Sequence, residues 1–217
     1  SINNMKTKFL HIATALLFAG FTSSCSDFLD RYPLDELSDS SFWKTENDAM
    51  MAVTDIYGCL PTWDQDEDIN SDNAVHGIKW AAGNISKGIY DPMDQSWAGS
   101  YTPIRQCNLV LEKVKDIEMS DESRKKIEGQ AYFFRAFVYF NLIRSFGDVP
   151  YIDKPLNLTD VEDITRTPRE EVYAKVMADF DKAIEYLPEE WDAANTPRVT
   201  KGAALAMKAR AALYYSN

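Results

Sequence analysis

The chain has 217 residues, of which 23 are Lys or Arg, 34 are Asp or Glu and two are His, a formal charge of −11. With 45% hydrophobic and 12% aromatic residues, it holds the apolar material for a buried core, which excludes wholesale disorder. The acidic balance argues against a nucleic-acid binder, which needs a basic face against phosphates, and against adhesion to anionic lipid by charge alone.

Residues 1–24 read as a targeting segment. Lys6 and Lys8 form a basic start, Phe9 to Ala19 is apolar except for His11 and Thr14, and small residues lead up to Cys25. That order describes a secretory signal peptide, and the apolar run is shorter than the roughly 20 residues that span a bilayer. Ser1 to Asn4 precede a natural start at Met5 and are expected to be extra translated sequence. A cysteine directly after small residues at the cleavage point resembles a bacterial lipobox, with Thr22 where such boxes prefer Leu. Cys25 is then the expected lipidation site; the competing reading is an ordinary secretory signal with Cys25 incidental. Stable membrane anchoring needs more than one buried acyl chain, and a triacylated N-terminus supplies it. Cleavage removes two lysines and no acid, taking the charge from −11 to −13. It also leaves His76 as the one histidine, so a multi-histidine metal site is excluded.

Downstream, Thr45 with Asp48 forms an N-capping pattern. Ala49, Met50, Ala52, Val53, Ile56 and Tyr57 then recur at helical spacing until Gly58 and Pro61. Residues 62–95 are rich in Gly, Asn, Asp and aromatics and read as a long irregular region, a length usually reserved for function. Trp97, Tyr101, Ile104, Leu111 and Val114 predict a helix over 96–117, with Pro103 blurring its start. Ser120 caps a helix running to about Ser145, whose second half from Ala131 to Ile143 is apolar on nearly every face and so is expected to be buried. Arg135 within it is read as satisfying a neighbouring acid or carbonyls in preference to holding an anion. Thr167-Pro168-Arg169-Glu170 reads as a capping box with proline at the first helical position. The stripe Val172, Tyr173, Val176, Met177, Phe180, Ala183, Ile184 and Leu187 follows, and Pro188 ends it. Thr200 opens an alanine-rich helix still helical in character at Asn217, so the architecture is expected to continue beyond this chain. Phe180, Ala183 and Pro188 keep the spacing of the second helix of a tetratricopeptide unit. The expected class is mainly α, with tetratricopeptide-like helix pairs.

Several of these stretches resemble the SusD/RagB family of outer-membrane nutrient-binding lipoproteins. They are Cys25-Ser26-Asp27-Phe28-Leu29-Asp30 with Pro33, Gln130 to Ala136 running through Tyr139-Phe140-Asn141-Leu142, Phe146-Gly147-Asp148-Val149-Pro150, Arg166-Thr167-Pro168, and Lys201 to Tyr214. The resemblance covers residues 25–217 as the N-terminal part of a SusD-like helical domain, truncated at the C-terminus. It implies a cell-surface, lipid-anchored protein of the outer membrane. Such a protein captures oligosaccharides for a partner TonB-dependent outer-membrane transporter, without catalysis and without a cofactor.

Sugar binding needs flat apolar faces for the C–H side of a pyranose and amides or carboxylates for its hydroxyls. The irregular region offers both, and Trp80, Asp72 and Asn73, then Trp63 and Tyr90, are the expected ligand-binding residues. The competing reading is that Trp80 plugs the scaffold and the acids are merely solvated. Trp97 and Tyr101, at helical spacing, are assigned to the core. Asp64-x-Asp66-x-Asp68 mimics the opening of an EF-hand, but Ile69 and Val75 stand at its glycine and glutamate positions, so no metal site is expected. No glycine-rich phosphate loop occurs, and a Ser-His-Asp arrangement would rest on His76 alone. Cys59 and Cys107 are expected to be free, mostly buried thiols, with pairing as the alternative. Besides glycan capture, a tetratricopeptide-like adaptor for a protein or peptide ligand remains open; it would use helix faces and give 62–95 no part. A surface glycosidase would show turnover lost with one carboxylate.

Overall fold

The computed structural model describes residues 42–60, 97–157, 160 and 164–216. The described residues after Phe42 belong to one unit, Trp43–Asn217, and form five α-helices. These are α1 (Glu46–Ile56), α2 (Trp97–Lys113), α3 (Asp121–Phe146), α4 (Arg169–Tyr186) and α5 (Lys201–Tyr215). Short 3-10 turns, Tyr57–Cys59 and Val114–Asp116, extend α1 and α2. Among the described residues the single β feature is an antiparallel bridge between Val149 and Thr167.

The predicted N-caps form for three of the five helices. The Thr45 hydroxyl accepts from the Asp48 amide while the Asp48 carboxylate accepts from the Thr45 amide, a reciprocal capping box at α1. These contacts hold the Asp48 carboxyl below its ordinary range. Ser120 and Thr200 cap α3 and α5 in the same way through their hydroxyls.

The start of α4 departs from expectation. Thr167 does not cap it: its backbone is engaged in the bridge to Val149 and its hydroxyl accepts from the Tyr151 amide. The cap comes instead from Asp148, whose carboxylate accepts the Arg169 amide at 2.9 Å. Gly147 makes this possible. It ends α3 with φ 70° and ψ −118°, a conformation that side chains disfavour, and turns the chain so that Asp148 reaches the next helix. The Phe-Gly-Asp-Val-Pro segment thus supplies a helix stop, a capping acceptor and a bridge residue in five consecutive positions.

Helix α3 is the centre of the packing. It touches α1, α2, α4 and α5, and successive helices α2–α3, α3–α4 and α4–α5 pack as neighbours. This is the pairwise succession of a tetratricopeptide-like scaffold. Ile127, Ala131, Phe133, Phe134, Ala136, Val138, Tyr139, Phe140, Leu142 and Ile143 of α3 are all buried, as the all-round apolar run requires. Each large side chain of that set contributes about 1.5–3 kcal/mol by leaving water. Gly129 lets α4 approach: a Cβ there would stand 3.0 Å from Tyr186 Cβ and 3.1 Å from Leu187 Cγ.

The buried polar side chains Asn108, Gln130, Arg135 and Asp179 are all paired. Arg135 and Asp179, 7% and 6% exposed, join α3 to α4 through Nε–Oδ2 and Nη2–Oδ1 bonds, both 2.7 Å. Arg135 Nη1 also donates to Asn108 Oδ1 of α2 at 2.8 Å. Burial pushes the Asp179 carboxyl up and the guanidinium pulls it back, while Arg135 is held charged by that same partner. Asn108 and the Tyr139 hydroxyl then fix Ile152 of the α3–α4 connection. On the opposite side, Gln130 accepts from the Tyr57 hydroxyl (2.9 Å) and from Arg198 (3.2 Å), tying α1 to the segment before α5.

Two stability predictions follow from this packing. Asp179→Ala strands a buried guanidinium and is expected to cost about 3–5 kcal/mol, whereas Arg135→Met with Asp179→Leu costs far less; urea unfolding of the single and double variants measures the difference. Gly129→Ala is expected to destabilise by about 1–3 kcal/mol through overpacking, and an unchanged urea midpoint would contradict the close approach.

Candidate functional site

A cleft of about 400 Å³ opens where α1, α2 and α3 meet, within the size range of small-ligand sites. Its first wall is the end of α1 with Asp55, Gly58 and Cys59; its second is the start of α2 with Gly99, Ser100, Thr102, Pro103 and Gln106. Phe137, Val138 and Asn141 of α3 form the floor. The location follows from the sequence order: Gly58 and Cys59 stand just before residues 61–96, and Gly99 and Ser100 just after them. The chain therefore leaves the cleft rim and returns to it across the segment that carries the sequence-predicted ligand residues.

The chemistry of the walls is mixed. Asp55 accepts a hydrogen bond from the Gln106 side-chain amide, bridging the two rims. Pro103 lies inside α2 and has no N–H, so the Gly99 carbonyl four residues earlier lacks its helical donor. Asn141 makes no side-chain hydrogen bond among the described residues, and Phe137 adds an aromatic surface. Acceptors, amides, hydroxyls and one ring are the groups a sugar uses.

Cys59 lines the cleft and Cys107 lies beneath it in the core; both are free thiols. Burial pushes Cys59 up to about 11 and Cys107 higher still, so neither is a ready nucleophile. Among the described residues no group of three His, Cys, Asp or Glu could hold a metal ion, and no helix is long and apolar enough to cross a membrane.

Trp63, Asp72, Asn73, Trp80 and Tyr90, together with Cys25 and His76, lie outside the described residues. Trp97 and Tyr101 are partly buried and pack against the core. Trp97 packs edge-on against Phe146 with Arg166 over its ring, and the Tyr101 hydroxyl donates to the Pro150 carbonyl. Arg135 takes the structural role described above. Sequence reading missed Asp55, Gln106 and Asn141. Asn141 had a visible signal, being with Arg135 one of two strongly polar interruptions in the run from Ala131 to Ile143.

Residues 27–213 match the family profile described as starch-binding associating with outer membrane, and the chain belongs to this SusD-like family. Among curated relatives it is 30% identical over 199 residues to SusD-like protein P2 of Formosa agariphila, covering 85% of this chain and 38% of that protein. It is 26% identical to a SusD-like protein of Bacteroides ovatus, covering 87% of this chain and 36% of that one. Among solved structures, a SusD-like protein of Bacteroides fragilis superposes with a TM-score of 0.74 at 29% identity, over 85% of this chain and 38% of that chain. A laminarin-binding SusD-like protein shares the fold, with a TM-score of 0.72 at 24% identity over 79% of this chain and 41% of that chain. The chain spans about two fifths of the length of the curated relatives that it matches.

The thiols give a direct check on this part of the structure. With Cys59 at about 11, only on the order of 10⁻³ of it is ionised at pH 8. Native alkylation at pH 8 is expected to be about a hundredfold slower than for an ordinary cysteine, with Cys107 slower again and both labelling rapidly in urea. Rapid native labelling of either, read by mass spectrometry, would contradict the burial described.

Proposed function

We propose that this protein is a cell-surface lipoprotein that captures oligosaccharides and delivers them to a TonB-dependent outer-membrane transporter, without catalysing their cleavage. The family match over residues 27–213 is the observation that carries the reading. The signal-like start and Cys25 support lipid anchoring to the outer membrane. The aromatic and amide residues of 62–95, with Trp80, Asp72 and Asn73 foremost and Trp63 and Tyr90 beside them, support a sugar site. The cleft between α1, α2 and α3 supports it independently, because its acceptors and aromatic surface suit hydroxylated ligands.

A peptide-binding adaptor is the second reading. Such an adaptor would bind through helix faces and give residues 62–95 no part.

The test is a glycan array with the full-length protein, comparing wild type with Trp80→Ala and with Asn141→Ala. Binding to one polysaccharide class that falls at least about fivefold in either variant is the expected result. Loss of one ring stacked on a sugar is worth about 1–3 kcal/mol by analogy with base stacking, which corresponds to that range. Binding that is unchanged in both variants would move the site, and binding of peptides with no glycan signal would favour the adaptor. Release of reducing sugar during the assay would contradict the non-catalytic reading.

A further inference from the structure

We infer that a second pocket, beside Arg198, binds the carboxylate of an acidic sugar, a uronic acid unit. The carboxylate rests on Arg198 itself, and the sugar rests on the glycan-capture reading. The pocket holds about 290 Å³ and opens between α1 and the α4–α5 connection. Thr54 and Tyr57 form one wall, and residues 194–198 form the other. That volume lies at the lower end for small-ligand sites and suits one sugar unit in preference to a long chain.

Arg198 is held by neutral groups. Its Nη1 donates to Gln130 Oε1 at 3.2 Å and its Nη2 to Thr54 Oγ1 at 3.0 Å. Its guanidinium carbon stands 5.9 Å from the centre of the Tyr57 ring. The groups that orient it are themselves fixed. Gln130 is fully buried and donates to the Lys126 carbonyl. The Tyr57 hydroxyl donates to the same Gln130 oxygen and accepts the Val199 amide, and Thr54 donates to the Met50 carbonyl. The guanidinium is therefore pre-oriented, and none of its charge is cancelled by the groups that orient it. Each of its terminal nitrogens carries a second N–H, and such donors bond a carboxylate about twice as strongly as a neutral acceptor.

The opposite wall supplies acceptors. Asn195 gives amide hydrogens to the Asp192 carboxylate, and Thr196 gives its hydroxyl hydrogen to the Asp192 carbonyl. The oxygens of the Asn195 amide and the Thr196 hydroxyl are what these side chains offer a ligand, and both accept from sugar hydroxyls. This wall is rigid: Asp192 also accepts the Ala194 and Asn195 backbone amides, and Trp191 Nε1 donates to the Val199 carbonyl. A cation on one side and acceptors on the other match a ligand with a carboxylate at one end and hydroxyls at the other, which is the polarity of a uronate.

The experiment is calorimetric titration of the purified full-length protein with glucuronate, glucose and acetate. Glucuronate should bind at least about tenfold more tightly than glucose, the contribution of a hydrogen bond to a charged group, and more tightly than acetate. Ala194 lines the pocket and is exposed, so Ala194→Glu leaves Arg198 and its contacts in place. The added carboxylate should weaken glucuronate about fivefold, the effect of two like charges roughly 4 Å apart in water, whereas Ala194→Lys should not weaken it. Arg198→Gln should abolish the preference over glucose, with urea unfolding as the check on its fold. Equal binding of glucose and glucuronate, or binding of neither, would overturn the inference. Acetate bound as tightly as glucuronate would overturn the sugar assignment, and an unchanged affinity in Ala194→Glu would overturn the location. The glycan array separates this site from the capture reading: polysaccharide binding without glucuronate binding overturns the inference alone, and loss of both overturns the capture reading with it.

Discussion

The scaffold depends on a buried ion pair. Arg135 of α3 and Asp179 of α4 face each other with two bonds of 2.7 Å, and Asn108 of α2 accepts the remaining guanidinium edge. Three helices are therefore held by one charged group. In water such a pair would contribute little; inside the core it contributes mainly as a constraint, because any packing that separates the partners strands a charge. Asn108 passes the constraint on to Ile152, and the Tyr139 hydroxyl grips the same residue through both its amide and its carbonyl. The α3–α4 connection is thus registered against α2 and α3 by polar contacts that apolar packing alone could not specify.

The cleft follows from that registration. With α2 fixed on α3 by Asn108 near the middle of the helix, the start of α2 and the end of α1 stand apart over Phe137 and Asn141. Small residues at both rims, Gly58 and Gly99, keep the space open, and a Cβ on Gly58 would meet nothing within 4 Å. Pro103 interrupts the helical hydrogen bonding at the same place. The position that weakens α2 as a helix therefore lies in the cleft wall.

Much of this was legible in the sequence because periodicity and capping are local. Thr45, Ser120 and Thr200 announce their helices, the stripe from Val172 to Leu187 sets the inner face of α4, and the largely apolar run of α3 announces a helix buried on most sides. The α4 cap was not legible: Thr167 fits the capping pattern, but Asp148, 21 residues before the amide it accepts, wins because Gly147 redirects the chain. Asp179 was missed for a similar reason. On a helical wheel it looks like one more acid in an acidic helix, and its partner is 44 residues away. Arg135 was readable since an arginine inside an apolar run must be satisfied by something. The site was legible only as a region. Composition marks 62–95 as rich in sugar-compatible residues, while the cleft at its two ends is a product of three helices meeting and has no signature in any one of them.

The central claim is that a glycan is held where α1, α2 and α3 meet. A crystal structure of the full-length protein with a bound oligosaccharide tests it most directly. The account predicts sugar density against Phe137, with hydroxyls donating to Asp55 and to the Gly99 carbonyl and Asn141 within hydrogen-bonding distance. Sugar held elsewhere, with the cleft occupied by protein or by water alone, would contradict it.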